Sequence, residues 1–289
     1  MVVGFLFCAD PLRPRKVDGH FEGEARAVRE LGGQVALVDH DALTLGRVAD
    51  AVARVPQGFG PVWYRGWMLD VEAYHALEEA LGRRGCRLLT GWRAYRSGHE
   101  LPGWIDCFRE LTPETVVVPM TPGEAPPGPR ELARAVTGLG EGGFVVKDYV
   151  KSRKREWLEA CYAPDLAALP RVAARFVELQ GEYLAGGLVI RRFELFSGSE
   201  TRIWWVDGEP VVAGPHPDTP GEAVEAPSDL GHVRSAVREL GARFVTTDLV
   251  RRADGAWRVI EVGDGQVSDW PRGAEPADLL PHLLAADPK

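Results

Sequence analysis

A chain of 289 residues with 45% hydrophobic and 26% charged residues can bury a full core in one or two domains. Its formal net charge of -8 argues against a protein that coats nucleic acid, so a basic stretch within it points to a small anionic partner. The N-terminal MVVGFLFCADPLRPRK holds an apolar run too short to span a membrane, with no basic region before it. We therefore expect a cytoplasmic protein with no signal peptide, anchor or membrane partner, and the four scattered cysteines predict reduced thiols rather than a zinc site.

Residues 1–90 alternate between strand and helix patterns. VVGFLF, QVALVD, GPVWYRG and CRLLT are typical of strands, and two amphipathic stretches between them are typical of helices that end at Gly32 and Gly85. This order predicts a Rossmann-like parallel α/β domain over residues 1–95. Ligands of such sheets bind at the carboxyl ends of the strands, where Arg65 and His20 are candidates for binding a non-nucleotide substrate. No G-x-G-x-x-G pattern follows the first strand, so we expect no dinucleotide there.

The rest of the chain predicts an α+β arrangement with antiparallel sheets. Residues 91–141 are irregular and proline-rich, which indicates a connection into a new unit that opens with a helix at Pro129. The strand patterns GGFVVKDYVK and GLVIRRFEL flank a helical stretch, and two hairpins follow around Asp207-Gly208 and Asp254-Gly255.

The second hairpin brings two acids together. If Asp254 and Gly255 are the two turn residues, Ala253 pairs with Ala256 and Asp248 lies opposite Glu261, roughly 5 Å away at Cβ. Opposed carboxylates repel each other unless a cation lies between them, and oxygen ligands of this kind suit magnesium. Alternatively both acids are solvated, or one of them pairs with a nearby arginine, Arg202 or Arg251.

Lys147 stands at the end of an apolar strand and is followed by a basic run, Lys151 and residues 153–155. Burying an ammonium group is costly unless an anion compensates for its lost hydration, and a triphosphate could do so. The alternative is that Lys147 extends outward to solvent and that residues 151–155 form a solvated helix start.

In its order of elements the chain resembles the ATP-grasp superfamily. A small α/β domain, a basic strand end, the strand VIRRFEL, the hairpin TRIWWVDGEPV and a terminal DLV...WRVIEVGDG follow one another, most closely as in the clade marked by one arginine and two lysines. The resemblance implies a pre-ATP-grasp domain at 1–95, a first ATP-grasp lobe with its linker at 96–188 and a second lobe at 189–289, with ATP and Mg2+ as cofactors.

The resemblance also implies roles for single residues. The strand 189–195 would lie along the adenine, and the implied nucleotide contacts are Lys147, Lys151, Arg191, Arg192, Phe193, Glu194 and Arg202. Among them, Lys147 and Lys151 resemble the two lysines of the clade and Arg192 its arginine, while Lys151 and Arg202 would stabilise the transferred phosphate. Asp248 and Glu261 resemble the metal carboxylates. Arg192 pairing only with Glu194 or Asp148, and Arg202 pairing only across the sheet, are the purely structural alternatives.

The sequence departs from the family pattern at two places. The segment DYVKSRKREW, which follows the lysine strand, contains no glycine, so side-chain charge must replace the backbone amides of a glycine-rich loop. The usual asparagine ligand two residues after the glutamate is Gly263 here, and Asp264 or Gln266 is the expected substitute. His216 is expected to be a loop residue without a catalytic role.

The expected activity is an ATP- and magnesium-dependent ligation of a carboxylate to an amine through an acylphosphate, with release of ADP and phosphate. A small molecule or a peptide could supply the carboxylate, and a homodimer is one assembly that the sequence leaves open. Two other functions also remain open: phosphoryl transfer from ATP without ligation, and a nucleotide-binding module that has lost catalysis.

Overall fold

The computed structural model describes residues 3–270 and 274–287. The strands are β1 (Gly4–Asp10), β2 (Arg13–Val17), β3 (Gln34–Val38), β4 (Val62–Arg65), β5 (Thr115–Pro119), β6 (Phe144–Lys147), β7 (Tyr162–Ala163), β8 (Gly187–Arg192), β9 (Phe196–Val206), β10 (Glu209–Pro215), β11 (Phe244–Arg252) and β12 (Trp257–Asp264). The α-helices are α1 (Glu22–Glu30), α2 (His40–Thr44), α3 (Val48–Ala51), α4 (Val71–Arg83), α5 (Trp92–His99), α6 (Leu101–Trp104), α7 (Pro129–Ala135), α8 (Leu169–Gln180), α9 (Gly231–Leu240) and α10 (Pro276–Leu284). Short 3-10 turns cover Thr137–Leu139, Lys154–Glu156, Gly181–Tyr183 and Gly265–Val267, and a π-helical turn covers Trp157–Cys161.

The described chain forms two compact units. One contains Met1–Gly98, Ser199–Leu249 and Glu261–Lys289, and the other contains His99–Gly198 and Val250–Ile260. This grouping differs from the three predicted segments, because the core of the first unit joins residues of the N-terminal sheet to residues of β9, β11 and α10. None of the helices in the described ranges is both long enough and apolar enough to cross a bilayer.

The N-terminal part of the first unit is a parallel sheet, as its alternating pattern predicts. β1 pairs in parallel with β3 and with β4 and antiparallel with β2. α1 and α4 end before Gly32 and Gly85, whose positive φ angles of 80° and 71° suit glycine at a helix end. The predicted strand CRLLT is wrong: only Leu88 bridges to Val62, and a bend at Leu89 and Thr90 then turns the chain away. β2 was not predicted; it follows a turn that the Asp10 carboxylate stabilises by accepting the N–H groups of Leu12 and Arg13.

The second unit is built on an antiparallel sheet with the strand order β5-β8-β6-β7. α8 buries Val172 and Phe176 in the core of this unit, against Phe144 and Val146 of β6. α7 begins with Pro129 at its first turn, as predicted. Residues 91–141 are less irregular than predicted, because α5, α6 and β5 lie within them.

The C-terminal sheet has the strand order β10-β9-β11-β12. The predicted turn at Asp207-Gly208 is confirmed: Val206 pairs with Glu209, and both turn residues have the positive φ angles (48° and 79°) of a two-residue hairpin turn. The register then shifts by one residue between Pro210 and Val212, which places an extra residue in β10.

Candidate active site

A buried ion pair joins two neighbouring strands of the C-terminal sheet. Arg202 on β9 donates from Nε to Asp248 Oδ1 at 2.7 Å and from Nη2 to Asp248 Oδ2 at 2.8 Å. The two side chains are only 11% and 2% exposed. Burial by itself lowers the pKa of Arg202, but the charge and hydrogen bonds of Asp248, with the fields of Glu261 and Glu200, raise that pKa above its ordinary value. The structure therefore contains the cross-sheet pairing that the sequence left open for Arg202.

His216, which was expected to have no catalytic role, lies beside this ion pair. Pro215 pairs with Thr201, and the His216 N–H donates to the Glu200 carbonyl at 3.1 Å, so His216 continues the edge of β10 opposite Glu200. Its side chain is buried, with Nε2 2.9 Å from Arg202 Nη2. His216 is thus a loop residue just beyond β10, as expected, but its buried side chain lies beside Arg202 and Asp248.

Three potential ligands surround this arginine. One ligand atom from each of Glu200, His216 and Asp248 lies within 4.8 Å of the other two, so these residues could hold a divalent cation. Glu261 is partly buried on β12, and its charge acts on the same guanidinium. We call Glu200, Arg202, His216, Asp248 and Glu261 the β9–β12 cluster.

The hairpin that carries Asp248 and Glu261 is closed by a different turn from the predicted one. The Arg252 N–H donates to the Ala256 carbonyl at 2.7 Å, and the Gly255 N–H donates to the Arg252 carbonyl at 2.8 Å. The loop therefore has three residues, with Gly255 at a φ of 89°, and Arg252 rather than Ala253 faces Ala256. The predicted pairing of Ala253 with Ala256 is wrong, because Ala253 joins Asp254 and Gly255 in the loop.

Further from the turn, Asp248 and Glu261 lie on the same side of the sheet, as predicted. A Cβ atom on Gly263 would lie 2.8 Å from Thr246 Oγ1, so Thr246 and Gly263 point to the same side of the sheet. Asp248 and Glu261 are each two residues from these positions and so share that side, because side chains alternate along a strand. Arg252 faces Ala256 at the turn, whereas Thr246 faces Gly263 further along the strands. The register of β11 and β12 therefore shifts by one residue between these two places.

Asp264 is not brought into the cluster. It is three residues from Glu261 on β12, so strand alternation turns it to the opposite face. Its Oδ1 accepts the backbone N–H of Gln266 at 2.9 Å and the Gln266 side-chain amide at 3.1 Å, while Oδ2 has no hydrogen-bond partner among the described residues. Burial raises the pKa of Asp264 to about 7, although the bonds from Gln266 oppose this shift. Gln266 is itself tied to Tyr64 and Tyr74, so the predicted substitution of Asp264 or Gln266 as third ligand has no support in the geometry.

The two substrate candidates of the N-terminal sheet differ in accessibility. Arg65 is 2% exposed and donates two hydrogen bonds to Glu24, at 2.7 and 2.9 Å, and a third to the Gln266 carbonyl at 3.0 Å. A guanidinium held in this way supports the fold and has no free edge for a substrate carboxylate. His20 is 40% exposed, lies 3.0 Å from Asp269 Oδ1 and packs on Trp67. Of the two, His20 is the one placed where a ligand could reach it.

In the second unit, Lys147 ends β6 and is 7% exposed. The next residue fixes the loop that follows it: Asp148 Oδ1 accepts the N–H of Val150 at 2.8 Å and of Lys151 at 2.5 Å, and Oδ2 accepts from Gln180 at 2.5 Å. Lys151 itself is exposed. A buried aspartate thus takes the place of a glycine-rich turn in holding this loop.

The basic residues that follow lie at the surface. Lys154 and Arg155 are exposed in a 3-10 turn, which agrees with the solvated alternative for this run. Arg153 contacts Glu156 at 3.2 Å and Gln180 at 3.5 Å.

The four nucleotide contacts predicted within the strand 189–195 have different environments. Arg191 is buried and donates to Thr115, Thr112 and the Ile260 carbonyl, so its side chain is structural. Arg192 is exposed and lies 3.4 Å from Glu114, which replaces the pairing with Glu194 or Asp148 left open by the sequence.

A cavity of about 680 Å³ in the second unit is lined by the other members of this segment. Its lining residues are Glu114, Arg192, Phe193, Glu194, Leu195, Arg252, Ala253, Asp254 and Arg258. Phe193 packs on Tyr162 with ring centroids 4.7 Å apart, and Glu194 accepts two hydrogen bonds from Arg258. The cavity combines an aromatic surface with several charged side chains.

The chain is similar to a known protein family and to several solved structures. The model of an ATP-grasp domain family, the third family of the clade marked by one arginine and two lysines, matches residues 137–283, about half of the chain. That segment contains Lys147 and the whole β9–β12 cluster. No curated protein sequence matches this chain significantly.

Solved structures match over nearly the full length. A RimK domain ATP-grasp protein from Sphaerobacter thermophilus is similar with a TM-score of 0.64 at 16% identity, over 98% of this chain and 100% of that one. The D-cycloserine synthetase DcsG matches with a TM-score of 0.63 at 18% identity, over 97% and 99%. D-alanine–D-alanine ligase from Bacillus anthracis, complexed with ATP, matches with a TM-score of 0.55 at 15% identity, over 97% and 94%. At these identities the likeness shows a common fold.

Proposed function

Because the chain belongs to the third family of the ATP-grasp clade marked by one arginine and two lysines, we propose that it is an ATP-dependent ligase that joins a carboxylate to an amine. The products would be an amide, ADP and phosphate. The observation that carries the proposal is the β9–β12 cluster, in which carboxylates surround one buried arginine inside the segment that matches the family.

The donor set of this cluster fits a divalent cation. Asp248 and Glu261 share one side of the sheet, and Glu200 and His216 lie beside Asp248. Carboxylate oxygens suit a hard divalent ion, which the sequence predicts to be magnesium. Asp248 and Glu261 would hold this ion, which when bound neutralises negative charge on the phosphate oxygens.

The residues of the chain would act mainly through charge. In the first step an oxygen of the substrate carboxylate bonds to the γ-phosphorus of ATP, and the bond from that phosphorus to the β-γ bridging oxygen breaks, which leaves ADP. Lys147, Lys151 and Arg202 would stabilise the charge that develops on the phosphate oxygens. Asp148 is a positioning residue, because its carboxylate fixes the loop between the two lysines.

In the second step the amine attacks the acyl carbon and phosphate leaves with the electrons of the broken C–O bond, while the amine loses a proton. The chain then has to hold the acylphosphate and the amine in position. His20 is the substrate contact we retain from the sequence analysis, whereas Arg65 is omitted because Glu24 binds its guanidinium. We place the reaction in the cytoplasm, and we do not propose a homodimer, which has no support in the comparisons.

One observation favours a second candidate, a nucleotide-binding module without catalysis. Arg202 is held by Asp248 in this structure, and Gly263 provides no side chain for a metal. If this arrangement persists with nucleotide present, neither the metal carboxylate nor the phosphate contact is available.

The test is to incubate the protein with ATP, magnesium and pools of carboxylic and amino acids, and to follow ADP release together with new amide masses. ADP that forms only when both an acid and an amine are present, with a matching amide, supports the ligase. ADP that forms with an acid alone, together with a stable phosphorylated product, would replace the ligase by a phosphotransferase. ATP binding without any ADP would favour the non-catalytic module.

A further inference from the structure

The β9–β12 cluster includes a histidine, His216, although magnesium sites usually have only oxygen ligands. We propose that His216, Asp248 and Glu200 form a metal site that takes a divalent transition ion such as Mn2+ in preference to Mg2+. We further propose that the Arg202 guanidinium occupies this site until the metal enters. The proposal rests on the proposed function only for the use to which the metal is put, because binding of the metal alone can be measured separately.

The position of Arg202 marks the metal site. Its Nη2 lies 2.8 Å from Asp248 Oδ2 and 2.9 Å from His216 Nε2, and these two ligand atoms are 3.5 Å from each other. A cationic nitrogen thus lies between an imidazole nitrogen and a carboxylate oxygen. Metal–nitrogen and metal–oxygen bonds of about 2.0 to 2.2 Å would fit between the same two atoms. Metal and guanidinium therefore compete for one place, and metal entry releases Arg202.

Gly263 explains why a ligand must come from β10. Gly263 shares the side of β12 on which Glu261 lies, but a Cβ atom there would be 2.8 Å from Thr246 Oγ1 and 3.3 Å from Ser268 Oγ. A side chain at this position would therefore collide with its neighbours. His216, which follows Pro215 at the end of β10, offers an alternative donor.

The surroundings of the imidazole fit metal binding through Nε2. Coordination at Nε2 requires the ring proton to be on Nδ1, and Asp218 Oδ2 lies 3.6 Å from Nδ1. A carboxylate beside the outer ring nitrogen is the usual partner of a metal-binding histidine. Arg202 Nη2 can only donate, so its contact with Nε2 already requires the ring proton to be on Nδ1, which lies 3.1 Å from the Asp218 backbone nitrogen. Metal binding at Nε2 would keep this tautomer and direct Nδ1–H to the Asp218 carboxylate.

Ligand chemistry then decides which ion is preferred. Imidazole suits transition ions such as zinc, iron and nickel best. Mn2+ shares the preference of Mg2+ for carboxylates, but as a transition ion it accepts a nitrogen ligand more readily than Mg2+, which prefers oxygen and gives up its water reluctantly. One imidazole beside the carboxylates of Asp248 and Glu200, with Glu261 on the same side of the sheet, should make the site bind Mn2+ more tightly than Mg2+ when each metal is added alone.

The first experiment measures metal binding without nucleotide. Free Mn2+ is titrated with the full-length protein and followed by its electron paramagnetic resonance signal, and Mg2+ is added as a competitor. We expect Mn2+ affinity at least tenfold above that for Mg2+, and a loss of at least tenfold in His216→Ala. His232→Ala changes an exposed histidine on α9 and should bind Mn2+ like the natural chain. Equal Mn2+ binding by His216→Ala and the natural chain would overturn the proposal.

Two further measurements guard against a misfolded variant. In the natural chain, pulsed electron paramagnetic resonance of bound Mn2+ should show coupling to a nitrogen-14 nucleus, and this coupling should be absent in His216→Asn, which offers an amide oxygen. Arg202→Met should bind Mn2+ alone more tightly, because the competing guanidinium is gone. Bound Mn2+ without nitrogen coupling, or weaker binding by folded Arg202→Met, would contradict the proposal. A failed search for amide products would contradict the ligase and leave these results unaffected.

Discussion

Arg202 and Asp248 form a two-bond ion pair across β9 and β11, in which both partners are almost completely removed from solvent. Each charge compensates for the lost hydration of the other, so the pair stabilises the fold only while both partners are present. The same carboxylate is the predicted metal ligand and the same guanidinium the predicted phosphate contact. Stability and function therefore depend on the same two side chains.

The first prediction is that Arg202 and Asp248 are energetically coupled. Asp248→Asn and Arg202→Met should each lower the free energy of unfolding by about 3 to 5 kcal/mol, because each leaves a buried charge without its partner. The double variant should be more stable than the sum of the two losses predicts. Urea unfolding of the four proteins without metal measures this coupling, and strictly additive losses would show that the observed bonds contribute nothing as a pair.

The second prediction concerns the removal of metal. ATP affinity should fall when a chelator removes divalent ions, because the triphosphate then meets the carboxylates of the β9–β12 cluster without a cation between them. Asp248→Asn should weaken ATP binding in the presence of metal. The affinities are measured by calorimetry at a temperature where melting curves show the variant to be folded. Unchanged ATP affinity in the chelator would count against a metal site.

The third prediction uses the buried carboxyl of Asp264, whose pKa rises from its ordinary value of 3.8 to about 7 in the folded chain. Between these two values the folded state holds a proton that the unfolded state has lost, so this group makes the protein less stable as the pH rises from about 4 to about 7. A shift of this size corresponds to a contribution on the order of 4 kcal/mol. Asp264→Asn carries no titrating group and keeps an oxygen for Gln266, so it should lose less stability than the natural chain over this range. Parallel urea titrations at about pH 4 and about pH 7 make the comparison, and equal losses in both proteins would contradict it.

The fourth prediction is that Lys147→Met weakens nucleotide binding without unfolding the second unit. Methionine keeps a long apolar side chain at the end of β6 and removes the charge. ATP affinity should fall by about 1.5 to 3 kcal/mol, the range for a hydrogen bond to a charged group. Lys16→Met, at an exposed position of β2, is the matched control. If both variants bind ATP like the natural chain, the buried Lys147 does not contact the nucleotide.

The spacing of apolar residues along the sequence predicted most of the strands and helices, because it reflects which side of each element is buried. The parallel pairing of β1 with β3 and β4, the Asp207-Gly208 hairpin and the helix ends at Gly32 and Gly85 all follow from short-range signals. The ATP-grasp resemblance, based on the order of these elements, is confirmed by the family match over residues 137–283. β5 was missed because VVVP lies among prolines, and its pairing with β8 is a long-range contact.

The candidate site was harder to predict because it depends on irregular pairing. An unbroken two-residue hairpin would place His216 opposite Ser199, whereas the extra residue near Val211 brings it opposite Glu200. No residue type in EPVVAGPH signals that shift. The buried partner of Arg65 is Glu24 on α1, forty-one positions away, which spacing along one element cannot reveal. Asp264, in contrast, could have been excluded as a partner of Glu261, since an odd separation along one strand puts two side chains on opposite faces.

The last prediction is that Glu261→Gln damages turnover more than folding. Glu261 lies on the same side of the sheet as Asp248 and within the field of Arg202, so loss of its charge removes both a repulsion and an attraction. The metal-free protein should therefore melt at nearly the same temperature. The same change removes an anionic ligand that would hold the cation against the phosphates, so ADP formation should fall at least about tenfold, which corresponds to roughly 1.4 kcal/mol of barrier. Glu239→Gln, at an exposed position of α9, serves as the control. Melting curves with and without metal and ATP test the expected stability, and an ADP assay on an identified substrate tests the expected loss of turnover. If the variant melts at a lower temperature yet turns over normally, Glu261 is a structural residue and not a metal ligand.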